Sequence, residues 1–287
     1  MTDIRPRRSV LYMPGSNARA LEKARTLPAD ALILDLEDAV APEAKDTARA
    51  QVCEAVKAKG FGRREVVVRI NALSTPWGAK DLLAAAAAGP DAILLPKIST
   101  PEELRAVEQR LAGINPALAL WAMVETPLAV LNIAALAGAG GRLVCLVMGT
   151  NDLVKEMRGV HTEDRLNLAA ALGLTVLAAR AHGLSVVDGV YNDIANSEGF
   201  AASCAQGRSF GFDGKTLIHP SQIAPCNTAF APSPEEVETA RKIVAAFELP
   251  QNKGKGAIAL DGRMVERLHA ASAKRTLALA EAITALP

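Results

Sequence analysis

Eight short runs rich in Val, Ile and Leu recur along this chain, each separated from the next by a longer segment of Ala, Leu, Glu and Arg. The runs are Ser9–Met13, Ala31–Leu36, Glu65–Ile70, Asp91–Leu95, Ala117–Val124, Leu143–Met148, Leu184–Val187 and Gly214–Ile218. Helical patterns fall between them at 17–27, 43–59, 78–88, 101–112, 127–138, 164–182 and 195–206. A run without polar alternation is a strand buried on both faces, and strand–helix alternation implies a parallel sheet. Eight such strands between Ser9 and Ile218 fit an α/β fold of the closed (β/α)8 type, a TIM barrel. A doubly wound open sheet is the competing arrangement. It would be favoured by a Gly-rich dinucleotide turn, and no G-x-G-x-x-G follows Ser9–Met13.

After the eighth run the character changes. Pro232-Ser-Pro-Glu-Glu236 reads as a helix start, with Ser233 as N-cap and acids in the first turn. That helix runs to about Phe247 and is followed by the polar, Gly-rich Gln251–Gly256, by Ala257–Leu260 and by Asp261-Gly262. A last helix is expected over Met264–Ala285. The expected division is a barrel over 1–230 and a C-terminal helical extension and lid over 231–287. A Gly-rich hinge suits a moving arm; a helix pair simply packed on the barrel is the alternative.

Composition narrows the function classes. The chain has 32 basic and 31 acidic side chains and a formal charge of +1. No basic excess argues for phosphate-backbone binding, and 3% aromatic residues offer few platforms for stacking bases. No nucleic-acid partner is expected. The longest apolar stretches, such as Leu82–Gly89, fall short of the ~20 residues of a membrane span. The basic opening Met1–Arg8 is followed by too short an apolar stretch for a signal peptide. Four scattered cysteines without a C-x-x-C pair fit buried thiols in a reducing compartment. The expectation is a cytoplasmic enzyme or binding protein.

Barrel chemistry gathers at the carboxyl ends of the strands. Here those ends read Asp35-Leu-Glu37-Asp38, Arg69-Ile-Asn71, Pro96-Lys97, Glu125-Thr126, Gly149-Thr-Asn-Asp152 and His219-Pro220. Charges at the ends of apolar runs are costly unless paired or bound to a metal. Glu125 and Asp152 each terminate an otherwise apolar strand and are the expected ligands of Mg2+, with Mn2+ as a substitute, because Mg2+ takes few carboxylates and keeps waters. The four histidines lack zinc spacing. Glu37 and Asp38 are expected to hydrogen-bond the metal's waters, or else to start a helix near Ala39. Arg69 suits bidentate capture of a carboxylate or oxyanion, the alternative being a buried salt bridge to Glu37 or Asp35. Lys97 raises a Schiff-base aldolase, but among so many carboxylates it reads better as a charge partner. Gly149, Thr150 and Asn151 offer N–H groups as a cradle for a small carboxylate.

The turn Met13-Pro14-Gly-Ser16-Asn17 leads from a strand into a helix, a geometry that captures anions. With Arg7, Arg8, Arg19 and Lys23 near it in sequence, Pro14, Ser16, Arg19 and Lys23 are the expected contacts for the phosphates of a cofactor such as coenzyme A.

With these residues in place, the chain resembles the citrate-lyase-β-like, or HpcH/HpaI aldolase, superfamily. The matching motifs are Arg8-Ser-Val-Leu-Tyr-Met-Pro-Gly-Ser16, Asp35-Leu-Glu-Asp-Ala-Val40, Val68-Arg-Ile-Asn71, Leu95-Pro-Lys97, Val124-Glu-Thr126, Gly149-Thr-Asn-Asp-Leu153, Gly214-Lys-Thr-Leu-Ile-His-Pro220 and Leu260-Asp-Gly-Arg-Met-Val265. Within it the chain is most similar to malyl-CoA lyases and (3S)-malyl-CoA thioesterases, and Trp121–Thr126, Ala179–Gly183 and Val187–Asn192 lean toward the thioesterases. The resemblance implies a homotrimer or hexamer of barrels that uses Mg2+ and acts on short 3-hydroxyacyl-CoA esters. It makes Glu125 and Asp152 metal ligands, gives Arg69 a substrate contact, and places Asp261 on an arm closing over a neighbouring subunit's site.

The expected reaction is reversible Claisen cleavage of a malyl-CoA-like thioester to acetyl-CoA (or propionyl-CoA) and glyoxylate (or pyruvate). Arg69 would steady the oxyanion and Asp261 would move the carbon-bound proton. The alternatives are hydrolysis of the same thioester to malate and CoA, a citrate lyase β subunit acting on an acyl-carrier-protein thioester, and a metal-dependent aldolase of free hydroxy-keto acids.

Overall fold

The computed structural model describes residues 4–286. Its chain falls into two compact units, Arg7–Phe230 and Met1–Pro6 with Ala231–Pro287.

In the first unit eight parallel strands close into a barrel in sequence order. They are β1 (Ser9–Pro14), β2 (Ala31–Asp35), β3 (Glu65–Arg69), β4 (Ala92–Leu95), β5 (Ala119–Val124), β6 (Leu143–Met148), β7 (Ser185–Asp188) and β8 (Gly214–Leu217). β8 pairs back onto β1, with Ser9 opposite Lys215. Every run read as a strand becomes one, and the open-sheet alternative falls. The helices between them are α1 (Ala18–Ala24), α2 (Lys45–Ala58), α3 (Gly78–Ala88), α4 (Pro101–Arg110), α5 (Pro127–Leu131), α6 (Ile133–Ala137), α7 (Thr150–Glu156), α8 (Ala169–Ala181), α9 (Ser197–Phe210) and α10 (Ile223–Phe230). The single helix expected over 127–138 is two, separated at Asn132, whose side-chain amide donates to the carbonyl of Ser99. Two short helices, α7 and α10, were not expected at all.

Side-chain alternation sorts each strand between two cores. Val10, Ile33, Val67, Leu94, Trp121 and Val147 fill the barrel interior. Their neighbours Leu11, Leu32, Val68, Ile93 and Leu146 face the helices. Charge enters the interior only at its ends. At the amino end Arg7 donates to both oxygens of Glu65 (2.6 and 2.8 Å) and to Ser185, and lies over the Trp121 ring. Arg8 makes a bidentate pair with Asp30. Both arginines therefore close the bottom of the barrel, and the expectation that they stand near a cofactor's phosphates is wrong.

A second charged group sits between barrel and helices. Asp188, fully buried at the end of β7, accepts from Lys215 Nζ at 2.8 Å and from Arg165 Nη1 at 2.8 Å to each oxygen. Burial pushes its carboxyl up, but the two cations win and hold it below the usual range. Gly207 leaves the space: a Cβ there would lie 2.9 Å from Asp188 Oδ2. Cys145, Cys204 and Cys226 are buried and Cys53 is half-buried, all four free. No helix among the described residues is long and apolar enough to cross a membrane.

In the second unit α11 (Pro234–Glu248) starts as its sequence predicts, with Ser233 accepting from the Glu236 N–H and Pro234 at its first position. The Met264 helix start is wrong. Asp261 and Gly262 both have positive φ, 49° and 76°. They form a two-residue turn that pairs β10 (Arg263–Glu266) antiparallel with β9 (Ala257–Leu260). The last helix, α12 (Arg267–Thr284), begins only after Glu266, its N-cap.

The buried triad yields a stability prediction. Asp188→Ala leaves the fully buried Lys215 ammonium without its partner and should cost about 3–5 kcal/mol. Arg105→Ala breaks an exposed, solvent-screened pair with Glu102 and should leave stability almost unchanged. Urea midpoints of the two variants check the contrast; equal shifts would refute it.

Candidate active site at the carboxyl rim of the barrel

The same alternation builds the rim. Two residues beyond interior Ile33, Val67, Met123 and Val147 come Asp35, Arg69, Glu125 and Gly149, which therefore share the upper interior layer.

Asp35 and Arg69 are register partners on β2 and β3. Arg69 Nε donates to Asp35 Oδ1 at 2.7 Å and Nη2 to Oδ2 at 2.6 Å. Nη1 lies 2.7 Å from Glu37 Oε2 and donates to Asp38 Oδ2 at 3.3 Å. The guanidinium carbon stands 4.8 Å from the centre of the Tyr12 ring. Burial works to lower the Arg69 pKa, yet Asp35 above all drives it well above its ordinary value. The salt-bridge reading thus holds for both acids it named, Asp35 on the Nε–Nη2 edge and Glu37 on Nη1, and Nη1 reaches Asp38 as well.

Those two acids sit on a tightly held loop. Asp35 accepts from the N–H groups of Glu37 (2.9 Å) and Ala39 (3.1 Å). Buried Lys45 donates to the carbonyls of Leu36 and Glu37 at 2.9 and 2.7 Å, its ammonium 5.5 Å from the Trp77 ring centre. No helix starts at Ala39; the next turn begins at Pro42, so the helix-start alternative fails. Burial, opposed by Arg69, pushes the Glu37 carboxyl up to about 8. Its Oε2 has no aligned hydrogen bond although Arg69 is close. Asp38 is largely exposed. Tyr12 and Lys45 were not read as site residues: Tyr12's signal was its place two residues after interior Val10, and Lys45 had none.

Across the mouth, Glu125 is buried. Its Oε1 accepts the Lys97 backbone N–H at 2.7 Å, and its Oε2 has no hydrogen-bond partner. Burial raises its pKa to about 6 against the pull of Lys97. Asp152 arrives from the first turn of α7 rather than from a strand end. The Lys97 ammonium joins the two, 2.5 Å from Asp152 Oδ1 and 3.7 Å from Glu125 Oε1. Burial tends to lower the Lys97 pKa, but Asp152 and Glu125 raise it, so the amine stays charged. A charged amine is no Schiff-base nucleophile. Gly149 is required because a Cβ would sit 2.6 Å from Glu125 Oε2.

The remaining site residues are placed less simply. The Gly149 N–H is taken by the Val124 carbonyl. The Asn151 amide exchanges hydrogen bonds with Asn192, and Thr150 is buried. In the first turn, the Gly15 N–H goes to the Asp35 carbonyl and the Asn17 side chain caps Ala20, so few donors remain free. Pro14 ends β1, while Ser16, Arg19 and Lys23 are exposed. His219 accepts from the Ser221 N–H after β8. In the second unit, Asp261 is exposed at the hairpin turn.

Glu125 and Asp152 are the pair fitted to a divalent cation. One buried carboxylate oxygen lacks a partner, an ammonium lies between the two acids, and two hard oxygen donors suit Mg2+, which takes few carboxylates and keeps waters of its own. Among the described residues no group of three or more His, Cys, Asp and Glu side chains forms a metal cluster.

Glu37 provides a pH test. Folded, it keeps its proton up to about pH 8, whereas the unfolded chain releases it near 4.5. Between those values the folded state binds more protons, so its stability falls as pH rises through that window. In EDTA, the wild-type Tm should therefore drop relative to that of Glu37→Gln from about pH 4.5 to about pH 8. Parallel curves would show that Glu37 ionises normally.

Known proteins resemble this chain along most of its length. The family model described as HpcH/HpaI aldolase/citrate lyase matches residues 8–220. A protein named (3S)-malyl-CoA thioesterase from Cereibacter sphaeroides is 52% identical over 98% of this chain and 96% of its own. Citrate lyase subunit beta of Escherichia coli is 37% identical, covering 91% of this chain and 89% of its own. A crystal structure of CitE from Mycobacterium tuberculosis, in complex with magnesium, acetoacetate and coenzyme A, superposes with a TM-score of 0.76 at 30% identity, covering 96% of this chain and 98% of that one. With the family model matched over residues 8–220, these identities and the closed barrel, this chain belongs to the HpcH/HpaI aldolase/citrate lyase family.

Proposed function

We propose that this chain hydrolyses the thioester of a short 3-hydroxyacyl-CoA of the malyl type, releasing the hydroxy acid and coenzyme A. The observation that carries the reading is the 52% identity, along 98% of the chain, with a protein named (3S)-malyl-CoA thioesterase. The rim supports it with a carboxylate pair arranged around a cation, opposite a buried arginine. Magnesium, held by Glu125 and Asp152 and replaceable by Mn2+, would supply a Lewis acid for the substrate's oxygens.

The chain's own groups do the rest. The Nη1 edge of Arg69 offers an N–H to the oxyanion that develops as water adds to the thioester carbon. Glu37, neutral near pH 7, holds a proton beside that edge. It can pass the proton to the departing thiolate as the C–S bond breaks. Exposed Asp38 would orient the water and take its proton as the C–O bond forms, and that proton then restores Glu37. Thr150 and Asn151, beside Gly149, would position the acyl carboxylate. Ser16, Arg19 and Lys23, with Pro14 shaping the turn, would meet the phosphates of coenzyme A. Asp261 would act as a proton carrier on a C-terminal arm in a homotrimer or hexamer.

A second reading uses the same groups and is favoured by the 37% identity with citrate lyase subunit beta. The C3 hydroxyl loses its proton, the C2–C3 bond breaks, and C2 gains a proton, giving acetyl-CoA and glyoxylate. The two are separated by products. With (3S)-malyl-CoA and Mg2+, the expected outcome is free thiol and malate in equal amounts without glyoxylate, followed by a thiol reagent and by phenylhydrazine trapping. EDTA should stop turnover. Glyoxylate with acetyl-CoA and no free thiol would overturn hydrolysis in favour of the lyase. A chain inactive on free CoA esters but active on an acyl-carrier-protein thioester would instead be a citrate-lyase-type subunit.

Arg69→Lys keeps the charge but loses the planar fork, and should lower turnover by at least ~10-fold. Unchanged turnover with altered stability would confine Arg69 to its salt bridge with Asp35.

A further inference from the structure

Lys97 occupies an uncommon backbone position for its type. It follows β4 and has φ 56°, in the left-handed region that a residue with a Cβ enters at some cost. In that conformation its N–H reaches Glu125 Oε1 and its side chain crosses the mouth to Asp152. Had β4 continued, alternation after the outward-facing Leu95 would have turned residue 97 toward the helices. The kink aims both the N–H and the ammonium at the carboxylate pair.

Only one cation fits that place at a time. The ammonium already lies 2.5 Å from Asp152 and 3.7 Å from Glu125. A divalent ion shared by the two carboxylates would stand within a few ångströms of it, where the repulsion is twice that between single charges. Lysine can leave: its four-carbon stem is flexible and its side chain is 34% exposed. Its backbone stays tied to Glu125, so the freed ammonium remains at the mouth, where an anionic substrate must enter.

We propose that Lys97 is a tethered counter-cation. Its ammonium holds Glu125 and Asp152 together before metal binds, is exchanged for the divalent ion, and is thereby handed to the anionic acyl group of the substrate. This rests on the metal site of the proposed function and adds an order to it: metal first, then substrate. Lys97 is a positioning residue in the first state and a substrate contact in the second.

The test measures metal affinity apart from turnover. Mn2+ binding to the substrate-free protein, followed by the electron paramagnetic resonance of the free ion, should tighten at least about tenfold in Lys97→Met, or about 1.4 kcal/mol. Lys97→Arg keeps the competing charge and should bind Mn2+ close to the wild type. In the same Lys97→Met protein the KM for (3S)-malyl-CoA should rise, opposite in sign to the gain in metal affinity; a merely structural lysine would weaken both. In the wild type, where folding is not at issue, saturating Mg2+ should increase acetylation of Lys97 by acetic anhydride, read by mass spectrometry. Unchanged or weaker Mn2+ binding in Lys97→Met, or unchanged labelling with Mg2+, overturns the exchange. Tighter Mn2+ binding with an unchanged KM overturns the hand-over to substrate. Glu125→Gln separates this from the underlying reading: if it binds Mn2+ like the wild type, the metal site itself is misplaced.

Discussion

Burying a charge inside a closed barrel is tolerable only where a partner of opposite sign can be brought to it, and that requirement organises this molecule. The middle layers of the interior are apolar, from Val10 and Ile33 to Trp121 and Val147. Charge is confined to the two ends. At the amino end the pairs are closed: Arg7 has both oxygens of Glu65, and Arg8 both of Asp30. At the carboxyl end they are not. Five carboxylates, Asp35, Glu37, Asp38, Glu125 and Asp152, face three cations, Arg69, Lys97 and Lys45, an excess of two negative charges when all are ionised. The protein meets that excess by holding Glu37 toward its neutral form and by keeping a lysine across the other pair. A surplus of negative charge and an unpartnered oxygen on Glu125 are the features that support the proposed cation there.

The local geometry shows why each acid differs from its neighbour. Asp35 accepts from Arg69 at both oxygens and from two backbone N–H groups, so every lone pair is used and it serves as a scaffold. Glu37 is two residues on and somewhat less enclosed, but has one ion-pair contact without alignment, and burial dominates it. Burial thus favours a proton on Glu37, while Asp35 is used up as the scaffold that holds Arg69, so the two acids are fitted to different tasks.

Much of this was legible in the sequence, for one reason: a parallel barrel strand is a continuous apolar run, and its last inward residue is the one next to the chemistry. Asp35, Arg69 and Glu125 could be picked from that rule alone. The failures share a cause too. Arg7 and Arg8 lie close in sequence to the turn at Pro14, but β1 runs between them and carries them to the opposite end of the barrel. Asp152 was read as a strand end because α7 is too short to show helical periodicity. The Met264 helix start fails because Asp-Gly, a common turn pair, folds the four residues on either side of it into a hairpin, a unit too short to stand out beside a helix of several turns. Lys45 could not be found, since nothing local marks a lysine that reaches back to the carbonyls of residues 36 and 37.

Lys97 shows how far residue type alone carries an argument about mechanism. A lysine at a barrel strand end admits two chemistries, a neutral nucleophile or a fixed charge, and the sequence Leu-Pro-Lys does not choose between them. The choice is made by the left-handed turn at that residue. It sends the amine toward two carboxylates instead of into an apolar pocket, and carboxylates keep it protonated. In that place Lys97 is a charge partner, and in the proposed reaction activation of the substrate's carbonyl falls to Arg69 and to the cation that Glu125 and Asp152 would hold. Such a site has no bond of its own to make with the acyl group. Whether water reaches the thioester carbon or the C2–C3 bond opens first is then decided by what the rim admits, which is how one set of side chains can serve both a thioesterase and a lyase.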